Sequence, residues 1–227
     1  MSTAKLIVIG GGEGHEIIKF VSNQASSPKP GTITIVEGAM GSGKTTYLIR
    51  YVETYGRHAP VLFINASIDN RDGEDAPVSS RSSLVSSDLV KKLRATYVKV
   101  GKLADVDPVV LATHSDIIVD EGQFFPDLVE GVLKFAETLG KQVIVAGLLT
   151  DYRRKPFGQM LELMGYADSH HKLDEALCDD CLLQGVRTKS LFTRSLVKMS
   201  AQIRVGKDDF RGCCRECYIK YGAEPSE

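Results

Sequence analysis

Residues 38 to 45 read Gly-Ala-Met-Gly-Ser-Gly-Lys-Thr, the spacing G-x-x-x-x-G-K-[ST]. To work, such an octapeptide needs a strand that delivers it and a helix that leaves it. Its glycines let successive backbone N–H groups curl around phosphate oxygens, and the following helix points the positive end of its dipole at them. The flanks comply: Thr32 to Glu37 is a short β-rich run, and Thr45 to Tyr55 is helical in character. Gly38, Ala39, Met40, Gly41, Ser42 and Gly43 are therefore expected to wrap the phosphates of ATP. Lys44 is expected to reach the β- and γ-phosphates, Thr45 to ligand Mg²⁺, and Thr46 to complete the set.

The rest of the chain predicts an α/β protein. Pro60–Asn65, Ile117–Asp120 and Gln142–Leu148 read as further strands. Ser87–Leu93 and Asp127–Leu139 read as helices, the second stopped by Gly140. Residues 72–87, rich in Ser, Asp and Gly, read as a mobile loop. Strands alternating with helices predict a P-loop NTPase-like, mostly parallel sheet with helices on both faces. After about Lys172 the rhythm stops and cysteine pairs begin. The expected division is an N-terminal extension over 1–30, a nucleotide-binding domain over 31–172 and a small zinc-binding unit over 173–227. Within the extension, Gly10 to Gly14 lacks the third glycine of a dinucleotide fingerprint, because His15 stands there, so a flexible turn is expected.

Composition excludes several functions. A chain of 227 residues with 43% hydrophobic residues suits one α/β domain with a small appendage. Net charge is −1, from 28 basic and 29 acidic residues, which gives no support to a nucleic-acid-binding surface. No apolar run approaches bilayer length, so no membrane partner is expected. The first ten residues hold only four consecutive apolar residues, Leu6 to Ile9, too few for a secretory signal, so a cytoplasmic location is expected. Five cysteines in such a compartment argue for metal binding or free thiols over disulfides.

Two further patterns carry chemistry. Asp116-Ile117-Ile118-Val119-Asp120-Glu121 is an apolar strand ending in two carboxylates. In P-loop enzymes such a strand lies beside the phosphate loop and puts an acid near Mg²⁺, and Asp120 is the candidate, acting through water. Glu121 points the other way if strand geometry continues, and is a candidate general base. Cys178-x-x-Cys181 and Cys214-x-x-Cys217 supply four thiolates suited to tetrahedral Zn²⁺ in a closed, structural site. Cys213 is the odd thiol, and the spacing favours Cys214 as ligand.

Together these parts resemble the thymidine kinase family of the cellular, poxviral and bacterial type, from about Gly31 to Tyr221. The most specific segments are Asp120-Glu121-Gly122-Gln123-Phe124-Phe125-Pro126-Asp127 and Arg154-Lys155-Pro156-Phe157-Gly158. The resemblance implies an ATP- and Mg²⁺-dependent kinase acting on the 5′-hydroxyl of thymidine, with Glu121 as base. It implies that Asp69 and Arg71 lie near the phosphates and metal, and that Gln123 joins the cofactor-binding set. Phe124, Leu148, Tyr152, Phe157, Thr188 and Phe210 match positions that enclose the nucleoside, Phe210 standing where the family usually has tyrosine. Phe125 fits core packing better than substrate contact. The segment between the cysteine pairs corresponds to a lasso that folds over the nucleoside, and family members are commonly homotetramers. The chain departs from the family at Asn70, at Val78–Ser83 and at Ser190, where an arginine is usual; Arg187 and Arg194 are the candidates to replace that arginine. Two other functions use the same parts: a P-loop ATPase with a zinc ribbon working on nucleic acid, and a non-catalytic nucleotide-binding regulator.

Overall fold

Alternate residues of the central strands are buried on opposite faces, and this decides the architecture. The computed structural model describes residues 29–69, 93–204, 206 and 209–225. Six strands pair in parallel: β1 (Thr32–Glu37), β2 (Val61–Ala66), β3 (Ala95–Val100), β4 (Asp116–Asp120), β5 (Gln142–Gly147) and β6 (Ser169–Lys172). Their order across the sheet is β3-β2-β4-β5-β1-β6. Ile33, Ile35, Leu62, Ile64, Ile117, Val119, Val143 and Val145 face one side. Val36, Val61, Phe63, Ile118, Ile144 and Ala146 face the other. Strands buried on both faces must be covered twice, which is the doubly covered parallel sheet expected.

Helices supply both covers. α1 (Lys44–Tyr55) lays Leu48, Ile49 and Val52 on the second face, at a spacing that puts all three on one helical side. The first face is covered by α2 (Pro108–Thr113), α3 (Leu128–Leu133) and α4 (Met160–Leu163), through Leu111, Leu128, Val132, Met160 and Leu163. Phe125 is buried in this same layer, as expected of a core residue.

Two local expectations are corrected. The helix expected over Asp127–Leu139 is regular only through α3 and then widens into a π-helical turn at Lys134–Thr138. Asp127 does not open it as a cap, because its carboxylate accepts from the N–H groups of Leu103 (3.0 Å) and Ala104 (2.9 Å). Gly140, at φ 67°, does end it. β5 runs between β1 and the acidic strand β4, yet β4 still ends beside the phosphate loop, as expected, with Asp120 accepting from Thr45. The extended geometry expected to carry on through Glu121 stops at Asp120: Glu121 is left-handed, at φ 54° and ψ 46°. The N-terminal extension up to residue 28, Asn70, Arg71, the loop over 72–87 and the expected helix Ser87–Leu93 except Leu93 lie outside the described residues.

Beyond β6 the chain forms a small antiparallel pair, β7 (Phe192–Ser195) with β8 (Phe210–Cys213), flanked by α5 (Asp179–Leu182) and α6 (Arg215–Tyr221). Its core is largely the cysteines with Tyr218, packed against Phe192. Among the described residues no helix is long and apolar enough to cross a membrane.

Candidate active site

The loop between β1 and α1 turns on two glycines, Gly41 at φ 78° and Gly43 at φ 88°. L-residues avoid that region because Cβ crowds the backbone. Lys44 opens α1 and folds back over the loop, donating from Nζ to the carbonyls of Gly38 (2.9 Å) and Ala39 (3.1 Å). Its ammonium is thus held at the loop, with only 9% of the residue exposed.

Asp120 reaches the loop in spite of the intervening strand, because β1, β4 and β5 all end on the same edge of the parallel sheet. Its Oδ2 accepts from Thr45 Oγ1 at 3.2 Å, and its Oδ1 accepts from the N–H of Glu121 at 3.0 Å. The left-handed turn at Glu121 then swings its carboxylate toward Gln123, whose Nε2 donates to Glu121 Oε2 at 2.6 Å. Gln123 is itself buried, and its Oε1 accepts the N–H of Leu148, just past the end of β5, at 3.0 Å.

Lys44, Thr45, Glu121, Gln123 and Leu148 open into one cavity of about 710 Å³, while Asp120 stands behind Thr45, off its lining. It is lined by the phosphate loop from Met40 through Thr46 and by Phe124, Leu148, Tyr152, Phe157 and Phe210, with Glu121 and Gln123 also on the lining. The rings pack on one another: Phe124 meets Phe157 edge-on at 5.7 Å and 88°, and Tyr152 lies 6.3 Å from Phe210. A flat, uncharged ring with polar edges suits such a wall, held by stacking and a few directed hydrogen bonds.

The remaining expected residues lie as follows. Gly38 and Ala39 belong to the loop but are not on the cavity lining, and Asp69 is buried outside it. Thr188 also lies off the cavity, and its carbonyl accepts the N–H of Cys178 at 2.7 Å. Thr193 lines the cavity instead. Other lining residues not expected from sequence are Tyr47, Arg50, Asp151, Gln202 and Arg204. Tyr47 and Arg50 are where α1 of a phosphate-loop helix would point its next turn, a signal the octapeptide itself contains. Gln202 and Arg204 carry no such signal, because only the return of the β7–β8 connection over the sheet brings them near.

The segment bearing Tyr152 is pinned from two sides. Asp151 accepts from the N–H groups of Arg153 (2.8 Å) and Lys155 (2.9 Å) and from Gln202 Nε2 (2.8 Å). Arg154, at φ 61°, sets its guanidinium 4.4 Å from the Tyr218 ring centre, and Tyr218 donates to the Tyr152 carbonyl at 2.8 Å. Gly158 closes the turn at φ 53°; a Cβ there would stand 2.3 Å from the carbonyl oxygen of Gln123.

The small unit that holds Tyr218 also holds the four thiols. The sulfurs of Cys178, Cys181, Cys214 and Cys217 all lie within 4.8 Å of one another, with 3.8 Å and 3.6 Å from Cys181 to Cys214 and Cys217. Zn–S bonds of about 2.3 Å in a tetrahedron require sulfurs roughly 3.8 Å apart, so the site fits zinc. Cys214 caps α6, its sulfur accepting the N–H of Cys217 at 3.4 Å. Cys213 is outside the group, and burial pushes its thiol up to about 12, so it stays protonated at neutral pH. Arg194 lies buried against Asp180, with Nε and Nη2 each 2.9 Å from a carboxylate oxygen. These hydrogen bonds hold the Asp180 carboxyl below its usual range. Arg194 thus ties β7 to α5, while Arg187 is exposed.

The parallel sheet, the glycine-turned loop with its lysine and the acid at the end of β4 define a P-loop nucleotide-binding protein of the α/β class. The family model for thymidine kinase matches residues 31–218, and the chain belongs to the thymidine kinase family. It is 35% identical over 190 residues to the thymidine kinase of variola virus, covering 83% of this chain and 97% of that one. It is 35% identical to the human cytosolic thymidine kinase, over 84% of this chain and 74% of that one, and 34% identical to a rice thymidine kinase, over 86% and 69%. Among solved structures, the flagellar accessory protein FlaH of Methanocaldococcus jannaschii overlaps 64% of this chain and 72% of its own at TM-score 0.42 and 13% identity, too remote to build on.

Proposed function

We propose that this protein transfers the γ-phosphoryl group of ATP to the 5′-hydroxyl of thymidine. One observation carries the reading: Glu121 lines a single cavity together with a phosphate loop and a wall of aromatic side chains. In the proposed step the 5′-oxygen attacks Pγ in line. Its proton passes to the Glu121 carboxylate, the bond from Pγ to the bridging oxygen breaks, and ADP leaves with that electron pair. Lys44 and the loop N–H groups neutralise charge on the transferring group, and positioning with electrostatics supplies most of the rate. Thr45 and, through water, Asp120 are the residues that would hold Mg²⁺, which adds charge neutralisation when bound. Asp69, and Arg71 beyond the described residues, belong to the same phosphate side in this reading.

Phe124, Leu148, Tyr152, Phe157 and Phe210 enclose the base, and the chain between the cysteine pairs closes over it as a lid. Closure keeps water from taking the phosphoryl group. Zinc on Cys178, Cys181, Cys214 and Cys217 is structural, anchoring a unit over 173–227 that follows a nucleotide-binding domain over 31–172. Thr188 supports the lid at the metal site more directly than it touches a nucleoside, since its carbonyl holds the N–H of Cys178. A homotetramer in the cytoplasm is the proposed assembly and location, on family membership.

The test is a phosphorylation screen with ATP and a panel of nucleosides. Thymidine is the expected acceptor. Absence of any nucleoside monophosphate, with ATP hydrolysis stimulated by DNA or RNA, sinks the reading in favour of a nucleic-acid ATPase.

A further inference from the structure

We infer that Gln123 is a positioning residue for Glu121, and that it acts through the carboxylate and not through the phosphates of ATP. The inference rests on the proposed role of Glu121.

Glu121 sits where the backbone leaves β4 in a left-handed conformation, at φ 54°. A side chain on such a turn is not aimed by strand geometry and needs external bracing. Two braces are present. Below it, the N–H of Glu121 is held by Asp120 Oδ1 at 3.0 Å. Beside it, Gln123 Nε2 donates to Glu121 Oε2 at 2.6 Å. A primary amide can do this only if its other end is fixed, and Gln123 Oε1 takes the N–H of Leu148 at 3.0 Å. The amide therefore has one orientation, donor toward Glu121 and acceptor toward β5.

Packing enforces the same geometry. Gln123 is only 3% exposed. A Cβ on Gly147 would stand 2.6 Å from Gln123 Oε1, so the absence of a side chain there is what admits the amide. The backbone of Gly158 runs close to the Gln123 carbonyl, where a Cβ would stand 2.3 Å from its oxygen. The result is a continuous chain of hydrogen bonds from Thr45 through Asp120, the Glu121 backbone and carboxylate, and Gln123 to Leu148. It spans from the phosphate loop to the nucleoside wall, so the carboxylate's place is set relative to both reactants at once. The other ionisable groups on the cavity are Lys44, Tyr47, Arg50, Asp151, Tyr152, Glu175 and Arg204. Among the described contacts Gln123 bonds none of these.

The test is a double-mutant cycle with Gln123→Met, which keeps length and volume and removes the amide. In the full-length enzyme the single variant should lose kcat by about tenfold to a hundredfold, the scale of a displaced reacting group. KM for ATP and for thymidine should stay within about twofold, because uniform binding is untouched. In a Glu121→Gln background the same change should add almost nothing, since the group it positions is already gone. Full additivity in the two backgrounds overturns the proposal, and so does a raised KM for ATP with kcat intact. A readout without turnover separates this failure from failure of the kinase reading. The Gln123 side-chain amide resonances, assigned by their loss in Gln123→Met, should move when Glu121 is replaced by alanine. If they do not move, the contact is absent whatever the enzyme phosphorylates.

Discussion

Two glycines show how differently the same residue can be required. A Cβ on Gly43 would meet nothing within 4 Å, so its requirement is conformational, from φ 88°. Gly43→Ala should then cost roughly 1–2 kcal/mol of loop strain, read as about tenfold weaker ATP binding in a titration, with the fold intact. Gly158 has both problems, φ 53° and a carbonyl oxygen 2.3 Å from the new Cβ. Gly158→Ala should push on Gln123 and lower kcat while ATP affinity holds, measurable in one set of steady-state assays. At this scale the phosphate loop was legible because its function fixes spacing in a single octapeptide. Glu121 was legible as a residue but not as a direction, since period-two alternation ends wherever the strand ends and Asp120 is the last strand residue. Thr188 and Thr193 could not be told apart, because their placement depends on how a connection folds back over a metal site.

Between elements, the sheet is tied to its helix by Tyr51, which donates to Asp116 Oδ1 at 2.8 Å, while Ser115 donates to Oδ2 at 2.8 Å. Tyr51→Phe leaves Asp116 with Ser115 and should lower stability by about 1 kcal/mol in a denaturant titration. Burial, then the hydrogen bond to Asp116, pushes the Tyr51 phenol well above its ordinary value, and burial alone pushes Tyr97 up to about 12. A raised folded value stabilises the fold fully below the unfolded pKa near 10 and loses that contribution as pH climbs through the folded one. Stability should therefore fall between about pH 10 and 12, and tyrosinate absorbance should show these two of eight tyrosines ionising last. The core strands were legible because they are apolar on both faces. The edges were not: β6 is Ser-His-His-Lys, polar and exposed at all four residues, and makes a strand only because β1 offers it a partner. β3 at the opposite edge is half-buried and mixed in composition. α2 does carry a start signal, Asp107 accepting from the N–H of Val109 before Pro108, but six residues are too few for a helical period to show.

For the whole molecule, the question is how a small cysteine-bound unit is coupled to the sheet. Tyr218 and Arg154 join α6 to the segment bearing Tyr152, and Gln202 joins the β7–β8 connection to Asp151. Loss of metal should therefore be felt at the nucleoside wall before the phosphate loop. Zinc removal by a chelator is expected to raise KM for thymidine several-fold more than KM for ATP, with one zinc per chain in the untreated protein by metal analysis. Within the same unit, Arg194→Ala leaves the Asp180 carboxylate buried without its main partner and should cost about 3 kcal/mol, seen as an earlier thermal transition. The four-cysteine site was legible from spacing alone, but its reach to the aromatic wall was not, since that depends on residues distant in sequence meeting across the cavity.

The proposed reaction has Glu121 take the proton of a nucleoside hydroxyl as phosphate leaves ATP held at Lys44. Its most direct test is single-turnover transfer of γ-labelled phosphate from ATP to thymidine, wild type against Glu121→Gln, at saturating concentrations of both substrates. The account predicts labelled thymidine 5′-monophosphate from the wild type and a rate lower by about a hundredfold or more in the variant, the usual scale of general-base catalysis. Equal transfer rates in the two proteins, or label released only as inorganic phosphate, would contradict it.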